Sequence, residues 1–70
     1  MSIVLTRERE ARGWNKRQLG ALADLHPSRV GVIENGRAKP YPVELERLAR
    51  ALLWTSDPAG LLEEVDRREN

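Results

Sequence analysis

No helix in the central part of this chain can grow long. Between Arg9 and Leu52 the sequence is interrupted by Gly13, by the turn Asp24-Leu25-His26-Pro27 and by Asn35-Gly36. A glycine after a helical run supplies the left-handed step that ends a helix, and a proline is tolerated only at the start of the next one. The segments left between these stops carry apolar residues at three- and four-residue spacing, the mark of short amphipathic helices. Helices this short persist only when their apolar stripes pack together. The expected fold is all-α, a compact bundle of five short helices.

The first helix runs from somewhere in residues 3–6 to Arg12 and stops at Gly13. Ile3-Val4 either belongs to it or forms an extended lead-in with Thr6 as the cap. Asn15 is a good N-cap for a second helix carrying Leu19, Leu22 and Ala23. Gly20 sits inside it at a cost of roughly 1 kcal/mol relative to alanine, a cost tolerable where the next helix approaches closely. Pro27 opens a third helix with Val30 and Ile33 inward and Ser28, Arg29 and Val32 pointing elsewhere; an αL step at Asn35-Gly36 ends it. Pro42 opens a fourth with Leu45, Leu48, Ala49 and Leu52 on one stripe. Ser56-Asp57-Pro58 opens a fifth with Leu61, Leu62 and Val65. The expected core is Leu19, Ala23, Leu25, Val30, Ile33, Leu45, Leu48 and Leu52, with Trp14 wedged between the first two helices. Trp54, Leu61, Leu62 and Val65 either complete the domain or form a dimer patch. Residues 1–65 make one domain, and the acidic end, Glu63 onward, reads as a solvated helix end whose last residues, 66–70, fray.

Composition narrows the function. Seventy residues hold one domain at most, and with no cysteine there are neither disulfides nor thiolate metal sites. A reducing cytoplasm is compatible with that, and Ile3-Val4-Leu5 is far too short for a signal peptide or a membrane span. With one histidine, no acid–base–nucleophile set and no glycine-rich phosphate loop, neither an enzyme nor a metal or cofactor site is expected. The net charge is only +1, but it is unevenly placed. Residues 1–39 hold eight bases and four acids, or +4, and residues 40–70 hold four bases and seven acids, or −3. The positive half contains the second and third helices, and clustering matters more than the sum.

Several segments, in order and spacing, carry a resemblance. They are Arg9-Glu-Ala-Arg-Gly-Trp14, the Gln-Leu-x-x-Leu-Ala of Gln18–Ala23, Ile33-Glu-Asn-Gly36, and the Pro-x-x-x-x-Leu-x-x-Leu-Ala-x-Ala-Leu of Pro40–Leu52. Over about residues 3–65 the chain resembles the phage lambda-repressor and Cro family of helix-turn-helix proteins, the xenobiotic-response-element type. It departs from the family at four positions. Asp24 and Leu53 stand where glycine is usual, Gly20 where alanine is, and Glu8 where helix 1 is often apolar.

The resemblance implies that the third helix enters the major groove of double-stranded DNA while the second crosses the phosphates, a geometry the groove's width permits. Base contacts then fall to Ser28, Arg29 and Val32, with His26 at the cap. Arg29 could take guanine bidentately or grip a phosphate, and Val32, beside Gly31, could meet a thymine methyl. Asn15 and Lys16 are placed for phosphate at a helix N-terminus, Arg17 less well, and Asn35, Arg37 and Lys39 could clamp the same strand from the far side. His26 reads otherwise as a cap or solvated turn residue, and Asn35 as a plain αL cap, a role that can coexist with a phosphate contact. Relatives matching this pattern pair the helix-1 arginine, here Arg9, with the glutamate before Asn-Gly, here Glu34. The expected function is a sequence-specific DNA-binding transcriptional regulator of the cytoplasm, a repressor binding its operator as a homodimer. A protein-interaction module, such as the antitoxin of a toxin–antitoxin pair, is the alternative.

Overall fold

A computed structural model describes residues 2–65. They form strand β1 (Ser2–Ile3), helices α1 (Val4–Ala11), α2 (Lys16–Ala23), α3 (Pro27–Glu34) and α4 (Pro42–Ala51), a 3-10 helix (Pro58–Leu62) and strand β2 (Glu64–Val65). The fold is mostly helical, but two sequence expectations need correction. The fifth α-helix does not form, and a small two-stranded ribbon stands beside the four α-helices.

Both corrections have one cause. Pro58 and Gly60 leave room for a single tight 3-10 turn, which seats Leu61 at 0 % exposure. Glu63 then turns extended, and Glu64–Val65 pairs antiparallel with Ser2–Ile3, Ser2 opposite Val65 and Ile3 opposite Glu64. β-branched Val65 and Ile3 suit strands better than helix ends. The ribbon also answers how α1 starts. Ile3 is the extended N-cap residue, no side chain caps the helix, and the Val4 amide donates to the Glu63 carbonyl at 2.8 Å. Thr6 lies inside the helix and is not its cap. Glu64–Val65 is therefore strand rather than a helix end, and the expected fraying of 66–70 lies outside the described residues.

The buried core is Val4, Leu5, Leu19, Ala23, Val30, Ile33, Leu48, Ala49, Leu52 and Leu61. Leu25, Leu45 and Trp14 are only partly buried against it, as are Trp54, Leu62 and Val65. Leu61 thus completes the domain rather than forming a patch. Leu22, which shares its helical spacing with Leu19 and Ala23, is 57 % exposed.

Each α-helix is followed by a residue in the left-handed region: Gly13, Asp24, Gly36 and Leu53, at φ of 74, 59, 81 and 55°. Asn35 keeps φ −91°, so Gly36 alone takes the step ending α3. Two arginines finish the helix ends that face inward. Arg12 donates to the Leu52 carbonyl at 2.7 Å, and Arg47 donates to Ala23 at 2.9 Å and Asp24 at 3.3 Å. Those carbonyls have no partner within their own helices, and an arginine from a neighbouring helix supplies one.

Candidate nucleic-acid interface

The turn between α2 and α3 is closed by backbone. The Leu25 amide donates to the Gly20 carbonyl at 2.8 Å, and Asp24 supplies the left-handed step. A Cβ on Gly20 would lie 2.5 Å from the Leu25 carbonyl oxygen. Gly20 is therefore the residue that lets the turn fold back onto α2.

His26 then caps α3. Its Nδ1 accepts the Ser28 amide at 3.1 Å, which leaves the ring proton on Nε2, and the Ser28 hydroxyl lies 2.8 Å from the same nitrogen. Since Nδ1 is the acceptor, the hydroxyl donates to it and its oxygen keeps lone pairs for a further donor. With Val30 and Ile33 buried, the stripe at 28, 31, 32 and 35 faces away from the core. Ser28 and Asn35 are exposed, Gly31 and Val32 half-buried. A groove of about 410 Å³ runs along part of this stripe, walled by Thr6, Glu10 and Lys16 on the other side. The Lys16 stem passes so close to Gly31 that a Cβ there would touch its Cδ at 3.6 Å.

The flanking groups divide into free and engaged. Lys16, Arg17, Arg37 and Lys39 are exposed around the stripe. Asn15 makes a reciprocal capping box with Gln18, both bonds 2.8 Å, so its side-chain oxygen is used and its amide nitrogen remains for a phosphate. Asn35 accepts the Arg37 amide through its side-chain oxygen at 3.1 Å and so shapes the following loop.

Arg29 stands apart from the other predicted contacts. It sits on the flank of α3 facing α4, where Glu44 takes its Nε at 3.1 Å and its Nη2 at 2.8 Å. The guanidinium also donates to the Lys39 carbonyl at 3.3 Å and lies 5.5 Å from the Tyr41 ring centroid. The hydrogen bond from Arg29, aided by the Tyr41 amide, holds the Glu44 carboxyl below its ordinary value, against partial desolvation. A base contact by Arg29 requires that pair to open.

On the opposite flank Arg9 and Glu34 join α1 to α3 through a fork, Nε to Oε2 at 2.7 Å and Nη2 to Oε1 at 3.0 Å. The remaining Arg9 nitrogen donates to the Trp14 carbonyl at 2.9 Å. Arg9 is 8 % exposed, and the bond to Glu34, the largest influence, raises its pKa further. Arg12, Glu44 and Arg47 were missed in the sequence. Only Glu44 carried a signal, as an acid three residues after the position preceding Pro42.

Two helices crossing at a tight turn, the second showing a bare outward stripe between exposed cations, define a helix-turn-helix domain. The chain belongs to that family of DNA-binding domains, since the family model described as "Helix-turn-helix domain" matches residues 1–59. No curated protein and no solved structure matches the chain. Among the described residues, no helix is long and apolar enough to cross a membrane.

Proposed function

We propose that the chain is a sequence-specific transcriptional regulator of the lambda-repressor and Cro type, a repressor that occupies operator DNA as a homodimer. The observation that carries this reading is the stripe Ser28, Gly31, Val32 and Asn35, bordered by the exposed cations Lys16, Arg37 and Lys39. With α3 in the major groove, the lone pairs of Ser28 suit a base-edge donor, cytosine N4 or adenine N6, and Val32 suits a thymine methyl. Phosphates fall to Lys16, Arg17, Arg37, Lys39 and the amide nitrogens of Asn15 and Asn35. With so few strong hydrogen-bonders on the stripe, backbone contacts and DNA shape supply much of the affinity. Repression follows from occupying promoter DNA in the cytoplasm, and no catalytic role is assigned.

Selection of sites from random duplexes tests this. A palindrome with half-sites roughly 34 Å apart, one helical turn, is expected, with affinity falling steeply as salt rises. No retained duplex at low salt contradicts it.

A second reading takes a protein as partner, as in an antitoxin. It is favoured by Leu22 and Leu53, which stand 57 % and 84 % exposed away from α3. Binding to DNA that is absent even at low salt, alongside tight capture of a cognate protein, would select it.

A further inference from the structure

We propose that Arg29 and Glu44 act as a positioning pair that sets the α3–α4 loop, and with it Arg37 and Lys39, against the phosphate backbone; this rests on the DNA-binding reading above. The first half of the loop is tied to α3 by its own backbone. The amides of Arg37 and Ala38 both donate to the Val32 carbonyl, at 3.0 and 3.3 Å. From Lys39 onward the ties to α3 among the described residues run through one arginine. Arg29 holds the Lys39 carbonyl at 3.3 Å and lies against the Tyr41 ring. A single oxygen of Glu44 receives both Arg29 Nη2 and the Tyr41 amide, each at 2.8 Å. The pair therefore closes a bracket from α3, across the loop, to the start of α4.

The same bonds explain why Arg29 does not read a base. It lies off the outward stripe, and reaching the groove would break a two-bond charged fork. Glu44, whose side chain is only 12 % exposed, would be left without its cation. Its contribution to DNA passes through Lys39 and Arg37. Their exposed ends are free to meet phosphate; the pair holds the Lys39 backbone directly, while that of Arg37 is tied to the Val32 carbonyl just before the part of the loop the pair secures.

The test compares the full chain with Arg29→Met, Glu44→Gln and the double variant, at a temperature where circular dichroism shows each folded. Affinity for the duplex selected by the parent chain is measured across a salt series, and site selection is repeated on each variant. Each single variant is expected to bind about 5- to 30-fold more weakly, with a salt slope flatter by about one phosphate contact or two. The double variant should be no worse than the weaker single, and the selected sequence should be unchanged. Amide exchange of Ala38, Lys39 and Tyr41 without DNA should quicken in every variant.

Relaxed preference at one base pair in Arg29→Met, or tighter binding by Glu44→Gln, would make Arg29 a base reader and overturn the proposal. Folded variants that bind with the parent's affinity and slope would also overturn it, leaving the pair merely structural and the DNA-binding reading intact. If the parent chain itself binds no duplex, the DNA-binding reading falls and takes this proposal with it.

Discussion

Gly20 on α2 and Gly31 on α3 are both helical glycines, yet alanine should act oppositely at the two. At Gly20 a new Cβ meets a backbone oxygen at 2.5 Å that cannot rotate away. The strain of overpacking, roughly 1–3 kcal/mol, should exceed the roughly 1 kcal/mol gained in helix propensity, so Gly20→Ala loses stability in urea titrations. At Gly31 the Cβ makes only ordinary contact with the Lys16 stem. Gly31→Ala should therefore gain about 0.5–1 kcal/mol, while weakening DNA binding by filling the stripe. A variant more stable but equal in DNA affinity would remove Gly31 from the reading face. Leu53 carries the reverse lesson, as an exposed leucine at φ 55° where glycine costs nothing sterically. Leu53→Gly should raise the urea midpoint, by up to about 1 kcal/mol of stability.

Between elements the helices are held by forks as well as by leucines. The Arg9–Glu34 fork is nearly buried, so removing either partner strands a charge and should cost about 3–5 kcal/mol. Arg9→Ala, Glu34→Ala and the double variant, unfolded in urea, should be strongly non-additive. Additive losses would mean that the two charges act independently. The Arg29–Glu44 pair adds a pH dependence. Arg29's hydrogen bond sets the folded Glu44 pKa below the ordinary 4.5. Its stabilisation is therefore complete above that value and is lost as pH falls through the folded one. The stability difference between neutral and acid pH should be smaller in Glu44→Gln than in the parent chain. An equal difference would show that the pair adds no stability at neutral pH that acid removes.

For the whole molecule, what the sequence disclosed depended on how local the cause was. Gly13, Gly36, Pro27 and Pro42 act on their own backbone, so the four α-helices and their order were legible. Asp24 and Leu53 take the same left-handed step where glycine is usual; Asp24 is a residue that tolerates it, whereas the Leu53 side chain does not announce it. The ribbon was illegible because its cause is distant. Val65 becomes strand only because Ser2 lies beside it, and Leu61–Leu62–Val65 alone keeps helical spacing. In the site, the stripe of Ser28 and Val32 could be read from spacing relative to Val30 and Ile33. The engagement of Arg29 could not, since Glu44 lies fifteen residues away. Arg12 likewise serves the distant Leu52 carbonyl, so counting the bases of residues 1–39 overstated the charge open to DNA.

The measurement that bears most directly on α3 as the reading helix is nuclear magnetic resonance shift mapping of the chain titrated with its selected duplex. The account predicts the largest changes at Ser28, Gly31, Val32 and Asn35, with Lys16, Arg37 and Lys39 following and Leu22, Leu53 and Trp54 little moved on the first half-site. Changes concentrated at Leu22, Leu53 and Trp54, with the outward side of α3 undisturbed, would contradict it.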